Sequence, residues 1–173
     1  MFSPPFEQGP IRPVDEADSL LIRTTRGCPW NRCSFCSLYD TQRFSIRTVE
    51  EIKKDIHAAQ QYFNGHPFER CFLQDGDSFV MPTADLIAVL KALKKAFPTL
   101  KQISSYGRAQ TMVKKSPGAI RKICEAGLNK LYCGMESGSA DVLKKIRKGI
   151  TPESIIRSAH MAREAGMETT QFI

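Results

Sequence analysis

The sequence predicts an α/β protein whose parallel strands form an open or partial barrel. Short apolar segments of the kind that form strands alternate along the chain with longer segments of helical periodicity. Because parallel strands need a long connection, this alternation indicates strands joined by right-handed helical crossovers. Polar, glycine-bearing or cysteine-bearing segments follow each of the first four strands, which favours a barrel with one chemically active mouth over a doubly wound sheet.

The first half of the chain contains three predicted strands and two predicted helices. Residues 20–25 form the first strand, and a long cysteine-bearing loop follows them. The first helix starts at Thr48, whose hydroxyl can cap the first turn while Glu51 reaches back to it, and it ends near Asn64-Gly65. The second strand, the second helix and the third strand occupy residues 71–74, 83–97 and 102–106.

The second half of the chain repeats the same start and stop signals. Ser116-Pro117 places a capping hydroxyl before a proline in the first turn of a helix, and Thr151-Pro152 does so again. Gly127 and Gly166 supply the left-handed residues that end these helices. The fourth strand, a short helical segment and the start of a fifth strand occupy residues 131–134, 139–146 and 168–173. We therefore expect about five parallel strands.

Length and composition predict one domain with a hydrophobic core. The chain has 173 residues and 42% hydrophobic content, close to the most that a single core usually supports. We divide it into an N-terminal extension, residues 1–18, and a barrel core, residues 19–173. Because the chain stops inside the predicted fifth strand, we expect it to be a truncated enzyme core.

The charge balance and the absence of targeting signals indicate a soluble protein. Lys and Arg outnumber Asp and Glu by 25 to 18, for a net charge of +7. These basic residues are scattered over predicted helices without interleaved aromatic residues, so a solvated basic surface is the simpler interpretation, and a nucleic-acid substrate stays open. No signal peptide and no membrane-spanning segment is predicted. We expect a cytoplasmic location, where thiols stay reduced.

Three cysteines form the strongest chemical signal in the sequence. Cys28, Cys33 and Cys36 lie within nine residues of one polar loop, and the nearest further candidate ligands are His57, His66 and Cys71. Structural zinc takes four protein ligands, whereas three cysteines on a cubane iron–sulfur cluster leave one iron free to bind a substrate or cofactor. The ligand count therefore favours an open cluster in a redox enzyme.

Other functional classes explain parts of this pattern less well. A zinc- or iron–sulfur-containing nucleic-acid-binding module would account for the net charge, but it needs more ligands and a concentrated basic face. An electron-transfer module would need a fourth cysteine ligand. Three buried cysteines acting as small hydrophobic residues do not fit a polar loop that contains arginine and proline. The remaining cysteines, which lie in predicted strands or on a buried helix face, are expected in the core: Cys71, Cys124 and Cys133.

Residues 26–44 resemble the cluster-binding loop of the radical S-adenosylmethionine (radical SAM) enzymes. Phe35 precedes the last cysteine, as an aromatic residue usually does in that family. Four residues separate Cys28 from Cys33, where the family usually has three. The resemblance extends from about residue 20 to residue 173 and implies the partial (β/α) barrel of the family.

The resemblance also implies cofactor contacts after later strands. In the family, the backbone of a Gly-Gly-Glu-like segment after the second strand receives the amino group of S-adenosylmethionine, and this sequence has Asp-Gly-Asp-Ser at residues 75–78. Residues 134–138 look like the Gly-x-Glu-Ser-Gly segment of one large subgroup. Two further positions around the third strand match positions that face the cofactor in related enzymes. The implied contacts are Phe35, Gly76, Asp77, Ser78, Ser104, Arg108 and Glu136.

The implied cofactors are a 4Fe-4S cluster held by the three cysteines and S-adenosylmethionine bound to the open iron. In the family, an external one-electron reductant reduces the cluster. S-adenosylmethionine is then cleaved to a 5′-deoxyadenosyl radical, and this radical abstracts a hydrogen from the substrate. Nothing in the sequence names that substrate. Trp30 is expected to shield the cluster from solvent.

Overall fold

A computed structural model describes residues 4–173. The strands are β1 (Leu20–Arg23), β2 (Thr25–Arg26), β3 (Ser45–Ile46), β4 (Arg70–Gln74), β5 (Gln102–Gly107), β6 (Leu128–Gly134) and β7 (Glu168–Phe172). The helices are α1 (Val49–Tyr62), α2 (Thr83–Ala96), α3 (Ala109–Lys114), α4 (Pro117–Ala126), α5 (Ala140–Lys145) and α6 (Pro152–Glu164), with 3₁₀ turns at Val14–Glu16 and Ser78–Val80. Within the described residues, no helix is both long enough and apolar enough to cross a membrane.

Five strands form one sheet in the order β1-β4-β5-β6-β7. Every neighbouring pair in this sheet is parallel. The strands of this sheet that follow one another along the chain are also neighbours in the sheet, which is the arrangement that helical crossovers produce. The predicted α/β class with about five parallel strands is therefore confirmed.

The predicted caps set the helix boundaries. Thr48 accepts a hydrogen bond from the Glu51 amide at 3.2 Å, and the Glu51 carboxylate accepts one from the Thr48 amide at 2.8 Å. Thr151 caps α6 through the amide of Ser154 at 3.2 Å. Gly127 follows α4 with φ 124°, a conformation in which a side chain is strained. These contacts are local in sequence, which is why the pattern predicted the starts of the longer helices.

The first predicted strand is divided in the structure. β1 ends at Arg23, and β2 pairs antiparallel with β3 in a separate two-stranded sheet. The amide of Arg47 donates to the carbonyl of Thr24 at 3.1 Å, between the two strands. The chain therefore leaves the main sheet at Thr24, and the β2–β3 pair closes the base of the cysteine-bearing loop.

Two other boundaries differ from the sequence pattern. The helix α3 was not predicted, because it has only six residues and no capping side chain at Arg108. The strand β6 begins at Leu128 rather than at residue 131. The amide oxygen of Asn129 accepts a hydrogen bond from the Ile103 amide at 3.1 Å, beside a bulge between Ile103 and Ser104. The Asn129 side chain takes the place of a backbone hydrogen bond between β5 and β6, so β6 can start earlier.

The hydrophobic core lies between one face of the sheet and the helices. Alternate residues of β1, β4, β5 and β6 belong to it: Leu20, Ile22, Cys71, Leu73, Ile103 and Leu131. Ile52, Leu90 and Ile123 of α1, α2 and α4 belong to the same cluster and are fully buried. Cys71 is in this core, and Cys124 and Cys133 pack against it, as expected.

The other face of the sheet carries a layer of aromatic rings. Phe72, Tyr106 and Tyr132 come from β4, β5 and β6 and meet edge to face, with ring centroids 5.1 to 6.3 Å apart. Phe172 of β7 stacks on Tyr132. Side chains on this inner face would point into the interior of a barrel.

Residues 7–16, called the N-terminal segment below, lie across this inner face. Gly9 exchanges two hydrogen bonds with the side chain of Gln74 at the end of β4, at 2.9 and 3.2 Å. At the other end of the segment, Glu16 is fully buried and accepts hydrogen bonds from the hydroxyls of Ser104 and Tyr132. The segment thus runs from the carboxyl ends of the strands towards their amino ends.

Candidate functional site

A cavity lies at the carboxyl ends of the strands of the main sheet. Its wall contains residues of the cysteine-bearing loop and residues at or just after the ends of four strands, β4, β5, β6 and β7. Among the residues that line it are Cys28, Cys33, Phe35, Cys36, Gly76, Arg108 and Glu136. The structure therefore brings together seven of the ten residues that the sequence proposed for the site, at the edge where parallel sheets place their functional groups.

The cysteine-bearing loop is held in shape by its own polar contacts. Gly27 has φ 81° at its start, and Asn31 has φ 45° within it. The Asn31 side chain donates to the carbonyl of Tyr39 at 2.9 Å, and the amide of Cys36 donates to the carbonyl of Cys33 at 3.3 Å. These turns direct all three cysteines towards one space.

Gly76 fits the loop closely to the end of β4. Its amide donates to the carbonyl of Gly27 at 3.3 Å. A Cβ atom at position 76 would lie 3.0 Å from both Cα and Cβ of Cys28, which is tighter than real side-chain contacts allow without movement. Glycine is therefore the residue that lets this backbone approach the first cysteine.

Arg108 reaches the cavity from the end of β5. It donates to the carbonyl of Lys148 at 3.1 Å, and its guanidinium carbon lies 5.6 Å from the centre of the Trp30 ring. Arg32 lies 5.4 Å from the same ring. Trp30 thus packs against two arginines and is not among the residues that line the cavity. These contacts anchor the loop, and shielding of a cluster by this ring stays a prediction.

Glu136 forms an ion pair with a lysine that sequence reasoning missed. The carboxylate of Glu136 lies 2.7 Å from Nζ of Lys148, whose side chain is only 10% exposed. From the sequence alone, Lys148 is one of the basic residues near predicted helices that are expected to be solvated. The available signal was its position, because the helical segment ends at residue 146 and Lys148 falls in the turn before Gly149.

The electrostatic surroundings of Cys33 combine burial with positive charge. Burial raises the pKa of the Cys33 thiol, and the positive charges of Lys148 and Arg108 act in the opposite direction. A cysteine ligand binds metal as the thiolate. The two cations therefore favour the form of Cys33 that a metal needs.

Three of the predicted cofactor contacts do not line this cavity. Ser78 is fully buried and its hydroxyl donates to main-chain carbonyls of β4 at 3.1 and 3.2 Å. Asp77 is fully buried and accepts a hydrogen bond from Thr111, and burial raises the pKa of its carboxyl to about 7. Ser104 binds Glu16 on the inner face of the sheet. A cofactor contact from any of these three stays a prediction.

Asp75 and Tyr39 were not proposed from the sequence. Asp75 is fully buried, has φ 79° and forms an ion pair with Arg23. Tyr39 lines the cavity, and burial together with the charge of nearby Asp75 raises the pKa of its hydroxyl. Non-glycine residues in this backbone region are uncommon and concentrate at functional sites. Asp75 opens the Asp-Gly-Asp-Ser segment at residues 75–78 to which the resemblance pointed, whereas nothing in the sequence marked Tyr39.

The donor set suits a cluster better than a single ion. Within residues 4–173, no three His, Cys, Asp or Glu side chains converge closely enough to hold one metal ion together. A cubane cluster makes a different demand, because each thiolate binds a different iron and the ligands stand farther apart. Three cysteines of one loop line one cavity, together with Arg108 and Glu136, and thiolates are the donors that such a cluster takes.

Comparisons with known proteins agree with this geometry. The model of the Radical SAM superfamily matches residues 22–173. An uncharacterized methyltransferase of Pyrococcus horikoshii is 28% identical over 170 residues, or 94% of this chain. Bacteriochlorophyllide d C-8(2)-methyltransferase of Chlorobaculum tepidum is 28% identical over 141 residues, or 79% of this chain.

A solved structure shares the fold. The cobalamin-dependent S-adenosylmethionine radical enzyme OxsB in its apo form superposes with a TM-score of 0.71 over 88% of this chain, at 21% identity. The predicted partial barrel is thereby confirmed. The chain spans 35% and 30% of the lengths of the two methyltransferases and 23% of that OxsB chain.

Proposed function

Because this chain belongs to the Radical SAM superfamily, whose members use a 4Fe-4S cluster and S-adenosylmethionine, we propose that Cys28, Cys33 and Cys36 hold such a cluster. The open iron would bind the cofactor, and an external one-electron donor would supply the reducing equivalent. The observation that carries the proposal is the convergence of the three cysteines and the ends of four strands on one cavity. Among the residues that the structure describes, no other cysteine lines that cavity.

The residues of the chain would position S-adenosylmethionine and exclude water. Gly76 allows close backbone approach beside Cys28, and Phe35 supplies an apolar surface within the loop. Arg108 and Glu136 offer one positive and one negative group on the facing wall, which suits a cofactor with a carboxylate, an amino group and ribose hydroxyls. Asp77 and Ser78, which directly follow Gly76 and are buried, would support that wall. Ser104 would contact the cofactor from the inner face of the sheet.

When bound, the cluster supplies the electron that breaks a C–S bond of S-adenosylmethionine and so starts radical chemistry. The protein contributes orientation and a dry, enclosed site, while the difficult chemistry belongs to the cofactors. Tyr39, only 4% exposed, closes the cavity beside the loop.

Anaerobic reconstitution of the chain tests the cluster assignment. We expect iron and sulfide at a ratio typical of one cubane cluster, and an electron paramagnetic resonance (EPR) signal of the reduced cluster that changes when S-adenosylmethionine is added. Cys28→Ala, Cys33→Ala and Cys36→Ala should each lose most of the cluster, whereas Cys124→Ala, which alters a cysteine packed against the core, should retain it. Tetrahedral zinc without sulfide in the purified protein would contradict the proposal and favour a zinc-containing module.

Methyl transfer is the reaction class that we propose for the whole protein. The support is the word methyltransferase in the names of both curated relatives, each of which is 28% identical to this chain. We propose no particular substrate, and nucleic acid remains among the candidates. Anaerobic incubation with reductant, methyl-labelled S-adenosylmethionine and a cell extract that contains both small molecules and nucleic acids should yield a labelled product by mass spectrometry. A label that appears equally without reductant, or only 5′-deoxyadenosine without any labelled product, would count against this class.

A further inference from the structure

Lys148 is a buried cation at the edge of the cavity, outside any helix. It follows α5, and its amide donates to the carbonyl of Leu143 at 2.9 Å. Its own carbonyl accepts a hydrogen bond from Arg108 at 3.1 Å. Lysine is almost never buried to this degree without a partner, because the charged ammonium loses its hydration. The buried ammonium of Lys148 therefore needs a partner within the protein.

The ammonium of Lys148 lies between the two sides of the cavity. It is 2.7 Å from the Glu136 carboxylate at the end of β6, and 5.6 Å from the centre of the Phe35 ring in the cysteine-bearing loop. Its positive charge also acts on the neighbouring Cys33. The charge therefore stands between a strand end and the loop that carries the cysteines.

The sequence keeps space for this ion pair. A Cβ atom on Gly134 would lie 2.4 Å from Oε1 of Glu136 and 2.6 Å from Nζ of Lys148. Glu136 itself has φ 61°, a backbone conformation that is strained for a non-glycine residue. Gly134 therefore leaves room for the pair over the end of β6, and the left-handed backbone of Glu136 is part of the same arrangement.

The turn that carries Lys148 is fixed to the cysteine-bearing loop. The indole of Trp30 donates to the carbonyl of Arg147 at 2.8 Å, and the amide of Ser34 donates to the carbonyl of Ile146 at 3.0 Å. A Cβ atom on Gly149 would lie 2.3 Å from the Trp30 ring. The ammonium is thus held at a defined place relative to Cys33 by contacts on both sides of it.

We propose that Lys148 is a positioning residue that holds the Glu136 carboxylate and sets the reduction potential of the cluster through its charge. This inference rests on the proposed function, because it requires a cluster on the cysteine-bearing loop. Reduction adds one negative charge to a cluster that already has thiolate ligands, and a buried cation nearby stabilises the reduced form. Glu136 opposes this effect, so the two charges of the pair should move the potential in opposite directions.

The test is the midpoint potential of the cluster, measured by EPR-monitored redox titration of reconstituted variants. Lys148→Met should lower the potential by the equivalent of about tenfold in the reduction equilibrium, or about 59 mV for one electron. Glu136→Gln should raise it, and the double variant should lie between the two single variants. Lys144→Met, which removes an exposed lysine of α5, should leave the potential unchanged.

The outcomes separate this inference from the proposed function. If the unaltered protein binds no cluster, the proposed function fails. If the cluster forms but both single variants move the potential in the same direction, or neither moves it, Lys148 has only a structural role and the inference fails. Should Lys148→Met fail to bind a cluster at all, Lys148→Gln takes its place, because it removes the charge while its amide can still donate to the Glu136 carboxylate. An unchanged potential in Lys148→Gln, or loss of the cluster from that variant too, overturns the inference.

Discussion

The carboxylate of Glu16 accepts a hydrogen bond from the hydroxyl of Ser104, which lies 88 positions later in the sequence, with 2.7 Å between the two oxygens. The same carboxylate oxygen accepts a second bond from Tyr132, also at 2.7 Å. Both contacts are buried, so the N-terminal segment is part of the folded unit at this point. It ties the inner face of β5 to that of β6.

Glu16→Ala should therefore destabilise the protein strongly. The change removes the carboxylate acceptor of Ser104 and one of the two carboxylate acceptors of Tyr132, whose hydroxyl also bonds Asp15 at 2.6 Å. A hydrogen bond to a charged group contributes about 1.5–3 kcal/mol. We expect the free energy of unfolding, measured by urea denaturation of the cluster-free protein, to fall by about 3 kcal/mol. Asp18→Ala, an exposed position two residues away, should change it by about 0.5 kcal/mol or less. Equal stability of the two variants would show that the segment is not anchored through Glu16.

Gly76→Ala should move the cysteine-bearing loop. The added methyl group meets the backbone of Cys28 rather than a flexible side chain, so the loop or β4 must shift, which typically costs about 1–3 kcal/mol. We expect a reduced iron and sulfide content after reconstitution. Gly118→Ala adds the same group where no atom lies within 4 Å and is the matched control. Full cluster occupancy in Gly76→Ala would contradict the close approach described for this glycine.

What the sequence predicted and what it missed follow from the range of the interactions. Thr48 and Thr151 cap helices through residues three positions away, and the cysteines lie within one loop, so both signals are contained in short segments. The pairing of Lys148 with Glu136 depends on where a turn packs after folding. The binding of Ser104 by Glu16 depends on a segment that crosses the sheet. Such long-range contacts leave no pattern in a single sequence.

Asp77 should make stability depend on pH. Burial raises the pKa of its carboxyl to about 7, from 3.8 in the unfolded chain. Between these values the folded protein retains a proton that the unfolded chain has lost, so the contribution of Asp77 to stability decreases as the pH rises and is constant above about pH 7.

The matching variant is Asp77→Asn, which has no charge to bury and can still accept a hydrogen bond from Thr111. Its free energy of unfolding minus that of the unaltered protein should increase from pH 4.5 to 7, by about 1.4 kcal/mol per pH unit at most, and then level off. Chemical denaturation at several pH values measures this difference, in which the other titrating groups cancel. A difference that does not vary with pH would show that Asp77 is ionised throughout this range.

Trp30 should decide how firmly the cysteine-bearing loop is held. Its indole bonds the carbonyl of Arg147 and its ring packs against Gly149, so Trp30→Phe removes the hydrogen bond while Trp30→Ala also removes the packing. One hydrogen bond contributes about 1 kcal/mol, roughly fivefold in the equilibrium for local opening of the loop. We expect the cluster to be lost in air fastest from Trp30→Ala, more slowly from Trp30→Phe and most slowly from the unaltered protein.

Hydrogen exchange supplies a readout that needs no cluster. The amide of Ser34 donates to the carbonyl of Ile146 at 3.0 Å, and it should exchange fastest in Trp30→Ala and slowest in the unaltered protein. Tyr62→Ala, which removes a half-exposed ring on α1, controls for the loss of an aromatic residue. Unchanged exchange at Ser34 in Trp30→Ala would mean that the other contacts hold the loop without the tryptophan.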